Sequence, residues 1–331
     1  MCARDIIDEK NIKTVEKILE SYPKEIKKYI DSMSSKTSYT KMVYARYIIN
    51  FLNYINKECN LDINIINNYK KIKPMNIDSY MENIRYKKNG EEKSATFRAA
   101  NLAALKGFFK FLLINDIIES NPCQYTEIPK DNKEHDIITI SDNDYNIMIN
   151  NIKNGVGNER AKSLQQKWIN RDIAILTLGI TTGLRISAIV GIDLNDINLL
   201  EKYIIVTEKG NIQKKIYIGD KTIDSIKKWL IDRRRLNISD DESALFIGRG
   251  NSRISVRAIE NRFKAISKST GKAITPHKMR ATCATRLYEL TGDIYSVQNQ
   301  LGHKNIKNTQ RYAKISDERK IEISTILDNI F

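Results

Sequence analysis

Only three histidines occur in the 331 residues of this chain, and two of them, His277 and His303, fall close to Arg280 and Tyr312. In TPHKMRATCATRLYE, Thr275-Pro276 reads as a helix start, because the fixed φ of proline suits the first helical position. His277 and Arg280 then stand three residues apart on one helix face. An imidazole beside a guanidinium suits a phosphate: the first moves protons and the second forks onto two oxygens. The same pair also occurs as an ordinary surface pair, so further residues must decide. Leu301-Gly302-His303 is followed nine residues later by Tyr312, in LGHKNIKNTQRYAKI. Upstream, TTGLRISAIVGIDLNDI sets Arg185 just after a glycine turn, and 24 residues on Lys209 sits at a hairpin tip.

Together these stretches resemble the tyrosine recombinase (phage integrase) family, including its Xer-type chromosome-dimer resolvases. The family runs in the order Arg, hairpin Lys, His-x-x-Arg, Leu-Gly-His, Tyr, and here Arg185, Lys209, His277, Arg280, His303 and Tyr312 fill it. The similarity covers residues 137–315, and a weaker likeness to the family's helical core-binding domain reaches back to residue 23. Two positions depart from the pattern. An acidic residue usually stands three places after the first arginine, where this chain has Ala188, and the second arginine is often followed by histidine, where it has Ala281.

The resemblance implies a DNA strand transferase and assigns each residue a part in it. Tyr312 attacks a phosphodiester, forming a 3′-phosphotyrosyl bond and freeing a 5′-hydroxyl. Arg185 and Arg280, with His303 as an added donor, hold the oxygens on which charge grows in the transition state. Lys209 protonates the leaving 5′-oxygen, and His277 either takes the tyrosine proton or holds a phosphate oxygen. The bond energy is kept in the phosphotyrosine, so neither a metal nor another cofactor is expected. The expected partners are double-stranded DNA core sites with an inverted repeat and further copies of the chain. Two domains clamp the duplex, four protomers assemble on two sites, and C-terminal tails are exchanged. Integration or excision, resolution and inversion all use this machinery. Two other readings stay open: a catalytically silent DNA-binding relative, and a relaxer like the type IB topoisomerases. Arg311, beside Tyr312, reads as part of a solvated face.

Composition agrees with a polyanionic partner. The formal net charge is +15, with 55 Lys and Arg against 40 Asp and Glu, and the excess is spread over both halves of the chain. Contacts to phosphate release counterions and add salt-sensitive affinity. No apolar run is long enough for a membrane span, and MCARDIIDEKNIK lacks the apolar core of a signal peptide. A soluble, cytoplasmic protein is expected. The four cysteines are far apart, which argues against a zinc site or a disulfide framework.

The elements that must position these residues read as a mainly helical chain. Residues 1–120 form an N-terminal helical, core-type DNA-binding domain, with the first 22 residues as an extension. Thr37–Ile55 and Ser94–Asn115 carry apolar stripes at helical spacing, Pro74 marks a break, and Ile77–Tyr86 is a short helix candidate. Arg98, Lys106 and Lys110 line the polar side of the later helix, as DNA-backbone contacts or as a solvated face. Residues 121–136 are polar and proline-bearing, the expected linker. Residues 137–331 form the catalytic domain, mostly helical. It has a helix capped by Ser141, an apolar helix over Arg171–Thr181, and one small antiparallel sheet from Tyr203–Val206 and Ile212–Ile218. Trp168 and Trp229 read as core aromatics. From about residue 315 an apolar tail helix must bury its face somewhere, and in the resembled family such tails dock on a neighbouring protomer.

Overall fold

The apolar stripes form a main core in each of two units, Met1–Glu134 and His135–Phe331, with a smaller buried cluster around Tyr312 in the second. The computed structural model describes residues 3–87, 89–127, 137–208, 212–302 and 305–312, together with 321, 324 and 325. Lys209, His303, the linker from 128 to 136 and nearly all of the apolar tail lie outside the described residues. Among the described residues, no helix is long and apolar enough to cross a membrane.

The first unit holds five helices, α1 (Ala3–Leu19), α2 (Lys24–Ser32), α3 (Ser38–Cys59), α4 (Pro74–Asn83) and α5 (Ala95–Ile114). Side-chain caps set where the long ones begin, by accepting from N–H groups that have no partner inside the helix. The Thr37 hydroxyl accepts from the Thr40 N–H at 3.2 Å, and Ser94 accepts from Phe97 at 3.2 Å. From there α3 buries Ile48, Phe51, Leu52 and Ile55, while α5 buries Leu102, Leu105, Phe108, Phe109 and Leu112. Phe51 and Phe109 meet edge-on at 5.8 Å, a geometry favoured by the ring quadrupole. Pro74 marks a break as expected, since Ile72 and Lys73 before it are extended. It is also the first residue of α4, where its missing N–H costs nothing, so this helix begins and ends three residues earlier than the periodicity predicts.

The second unit carries nine helices among its described residues, and a three-stranded sheet. The helices are α6 (Asp142–Asn154), α7 (Glu159–Gln165), α8 (Ile169–Thr182), α9 (Ile186–Val190), α10 (Asp220–Arg234), α11 (Val256–Ile266), α12 (Pro276–Thr291), α13 (Ile294–Leu301) and α14 (Lys307–Gln310). Ser141 and Asp144 cap α6 reciprocally, each side chain accepting from the other residue's backbone N–H. Helix α8 runs through the middle of the core, burying Ala174, Ile175, Leu176 and Leu178 against α10 and α12, which is why it reads as apolar over so long a stretch. Trp168 and Trp229 are both buried in this core.

The sheet is antiparallel, in the order β1 (Ile197–Asn198), β2 (Tyr203–Glu208), β3 (Ile212–Tyr217). Ile204 pairs with Ile216 and Val206 with Lys214, so Ile204, Val206 and Ile216 share the buried face. The outer face carries Tyr203, Lys215 and Tyr217, with the Lys215 ammonium 3.8 Å from the Tyr203 ring centre.

A buried polar network ties the start of α8 to α11. Asp172, 2% exposed, accepts from Arg171 Nη2 at 2.6 Å through one oxygen and from Arg262 Nε at 2.6 Å through the other. Arg171 also donates to the Ile247 carbonyl at 2.8 Å and lies 4.3 Å from the Trp168 ring centre.

At the other end of α8 the chain turns through Gly183, which adopts φ +64°. A Cβ there would lie 2.7 Å from Leu301 Cδ2 and 3.0 Å from Cys283 Sγ. Both the backbone conformation and the space demand glycine. Gly183→Ala is expected to destabilise the second unit by about 2 kcal/mol or more, from left-handed strain and overpacking. Urea unfolding followed by tryptophan fluorescence checks this, since both tryptophans lie in that unit.

Candidate active site

The turn at Gly183 converges with the start of α12 and the end of α13, and Arg280 sits between them. Thr275 is the N-cap of α12 and Pro276 its first residue, which places His277 and Arg280 on successive turns of one face. Arg280 is 5% exposed. Its Nη1 donates to the Gly183 carbonyl at 2.7 Å, and its Nη2 donates to the Leu301 carbonyl. One guanidinium therefore fixes the turn leading into Arg185 and the end of the helix leading into Gly302 and His303. Gln300 adds a second tie, its Nε2 donating to the Thr182 carbonyl at 2.9 Å.

Arg185 stands at the N-cap of α9, with its side chain exposed. Its carbonyl accepts from the N–H groups of Ala188 at 2.8 Å and Ile189 at 3.1 Å, so the short helix anchors its backbone. Ala188, at the position where an acidic group was expected, is buried in the core of the unit. A carboxylate there would have to be desolvated among apolar groups.

Tyr312 is 3% exposed and packs with Ala281, Ala284, Val297 and Leu301. It follows the single turn of α14, and its backbone N–H donates to the Thr309 carbonyl at 2.8 Å. The Arg311 guanidinium lies 5.6 Å from the Tyr312 ring centre. Arg311 also acts on His277, whose pKa lies below its ordinary value. Partial burial is the largest cause, followed by the positive charges of Arg311 and Arg280, all of which disfavour the imidazolium. The helix N-terminus beneath His277 works in the same direction. His277 is thus held as a neutral imidazole, able to accept a proton. NMR titration of His277 is expected to give a midpoint below about 6.5, and Arg311→Ala to move it upward. A midpoint unmoved by that change would remove Arg311 from the site's electrostatics.

Cys283, one turn beyond Arg280, is buried beside Gly183, and its thiol is pushed up to about 11 by that burial. It acts as a small apolar residue. Among the described residues no group of three or more His, Cys, Asp or Glu could hold a metal ion.

The structure thus brings His277, Arg280, Tyr312 and the backbone of Arg185 to one place. Lys209 and His303 follow β2 and Gly302 in the chain and lie outside the described residues. Arg98, Lys106 and Lys110 belong to α5 in the other unit. Arg98 pairs with Glu92 at 3.0 Å, Lys106 donates to the Thr126 carbonyl at 2.8 Å, and Lys110 is exposed. Sequence reasoning read Arg311 as part of a solvated face; it is exposed, and its charge also acts on His277. Gln300 was passed over and carried no signal.

The profile of the phage integrase family matches residues 125–319. The chain is 32% identical over 240 residues to the protein named tyrosine recombinase XerC of Haemophilus influenzae, covering 72% of this chain and 76% of that one. It is 28% identical over 309 residues to the protein of the same name from Leptospira interrogans, covering 92% and 93%. Among solved structures, the Tn1549 transposon integrase in complex with transposon right end DNA shares the fold. Its TM-score is 0.66 and its identity 18%, over 92% of this chain and 98% of that one. With the family profile spanning more than half of its length, the chain belongs to the phage integrase family of tyrosine recombinases, enzymes that break and rejoin DNA.

Proposed function

We propose that this chain is a site-specific recombinase in which Tyr312 is the nucleophile. The observation that carries the reading is the position of Tyr312. It belongs to the same buried cluster as Leu301, whose carbonyl is held by Arg280, one helical turn from His277.

In this reading the Tyr312 phenol attacks phosphorus. Its proton passes to the neutral His277, and the bond to the 5′-oxygen breaks as Lys209 protonates that oxygen. Arg185, Arg280 and His303 neutralise the non-bridging oxygens as their charge grows. A 5′-hydroxyl from another strand reverses each step, restoring Tyr312 and joining new partners. Four protomers act on two core sites, and the apolar tail from residue 315 docks on a neighbour. The N-terminal unit adds backbone contacts to DNA through Lys110. Arg98 and Lys106 join it on exchanging their intramolecular partners for phosphate.

The test uses a plasmid library of the source genome. The purified protein is incubated with it, complexes are arrested with detergent, and covalently bound DNA is sequenced. A recurrent inverted repeat joined to protein at a 3′ end is the expected result. A nick placed near the cleaved phosphate of that site then lets adduct accumulate, because the short cleaved strand diffuses away. Absence of any adduct would mean a silent DNA-binding relative. Relaxation of every supercoiled plasmid without strand exchange would mean a topoisomerase-like activity.

A further inference from the structure

On the inner face of β3 one residue breaks the apolar pattern. Positions 214 and 216 point to the same side of the sheet, and Lys214, partly buried, stands beside Ile216 and opposite Val206. A lysine on this face lays its apolar stem beside the core and carries its ammonium out to an exposed partner. The partner is the Asn299 carbonyl, to which Lys214 Nζ donates.

Asn299 lies in the last turn of α13, where backbone carbonyls have run out of intrahelical donors and the helix dipole favours positive charge. Two cations from different elements serve this helix end. Lys214 comes from the sheet to Asn299, and Arg280 comes from α12 to Leu301. The chain then leaves through Gly302, left-handed at φ +61°, whose N–H also donates to Asn299. Gln300 pins the same turn to α8. Lys214 links the sheet to this assembly. It is the third residue of β3, five residues after Lys209 in the chain, and Asn299 stands four residues before His303.

Resting on the catalytic reading above, we infer that Lys214 is a positioning residue that ties the β2–β3 hairpin to the end of α13. It sets strands β2 and β3, between which Lys209 falls in the chain, in the same frame as Arg280 and the phosphate it holds. An untied hairpin leaves the general acid in reach of the leaving oxygen for a smaller fraction of the time. Lys214 itself transfers no proton.

Leaving-group chemistry tests this. A 5′-oxygen needs a proton to leave, whereas a sulfur in its place leaves as a thiolate without one, so defects in the general acid vanish on the sulfur substrate. The nicked site recovered above is made with oxygen and with sulfur at the bridging position. Cleavage at saturating protein is then measured for wild type, Lys209→Ala, Lys214→Met and Lys214→Arg. Lys214→Met keeps the apolar stem and removes the donor. It is expected to cleave the oxygen substrate about ten- to a hundredfold more slowly, part of the range that general acids supply. On the sulfur substrate it should come within about threefold of wild type, while DNA affinity stays unchanged. Lys214→Arg, which still donates, should recover most of the oxygen rate. Equal losses on both substrates would make Lys214 merely structural, and weakened binding with normal cleavage would make it a DNA contact. Either outcome overturns the inference, as does the absence of any loss. Should Lys209→Ala itself gain nothing from sulfur, the general-acid reading fails and the inference falls with it. Rescue of Lys209→Ala without rescue of Lys214→Met sinks the inference alone.

Discussion

Tyr312→Phe is expected to leave a folded protein that binds its DNA normally and forms no covalent adduct. Cleavage should fall by about a thousandfold or more, the scale on which losing a nucleophile acts in other covalent enzymes. The change removes one oxygen and keeps the ring. That ring packs with Ala281, Ala284, Val297 and Leu301, all apolar contacts that phenylalanine preserves. Losing a single buried hydroxyl is worth about 1 kcal/mol, too little to unfold the unit. Binding and cleavage therefore separate in this variant, which a folding defect would not allow. The measurement is detergent-resistant adduct on the nicked site, beside an affinity assay on the intact site. An adduct of undiminished yield would show that another residue attacks, and the roles assigned to His277 and Lys209 would need to be redrawn.

The largest stability effect is expected at Asp172. Replacing it with alanine leaves Arg171, 6% exposed, and the partly buried Arg262 without their shared carboxylate. Removing one partner of a buried ion pair costs about 3–5 kcal/mol, because the remaining charge is left desolvated. Two guanidiniums share this carboxylate, which puts the expected loss toward the upper end. Asp142 provides the contrast. It pairs with Arg286 at 2.6 Å, but its own side chain is largely in water, so Asp142→Ala should cost less than about 1 kcal/mol. Tryptophan fluorescence during urea unfolding reads both, since Trp168 lies against Arg171 itself. Similar midpoints for the two variants would mean that the network is solvated in solution.

The helices were legible in the sequence where a capping side chain met an apolar period. Thr37, Ser94 and Ser141 each mark the start of a helix whose inward face repeats at 3.6 residues. Strands β2 and β3 were legible by alternation, whereas β1, two residues long, has no period to read. Pro74 hid the start of α4 because a proline that ends one segment also suits the first turn of the next. The chemistry of the site was legible because reactive residue types are few and their order is constrained. Their support was not. Arg280 reaches carbonyls 97 and 21 residues away, and Arg98 and Lys106 meet Glu92 and Thr126, contacts that only the folded chain creates. Arg171 was read only as the start of an apolar helix, and burial makes it and Asp172 a network.

Arg280 has a consequence for how such a protein can change over generations. An enzyme loses its chemistry most cheaply at a residue whose only duty is chemical. Arg280 has another duty, because its two bonds hold together the backbone on either side of the site. Lysine, with one nitrogen, cannot span the Gly183 and Leu301 carbonyls as the planar fork does. Drift at this position therefore costs shape as well as rate, and selection on folding alone is enough to retain the arginine. Descendants of this chain that give up strand exchange and keep DNA binding should carry their first lesions at Tyr312 or Lys209. An intact Arg280 in such a lineage is a record of its architecture, and says little about whether it still cuts.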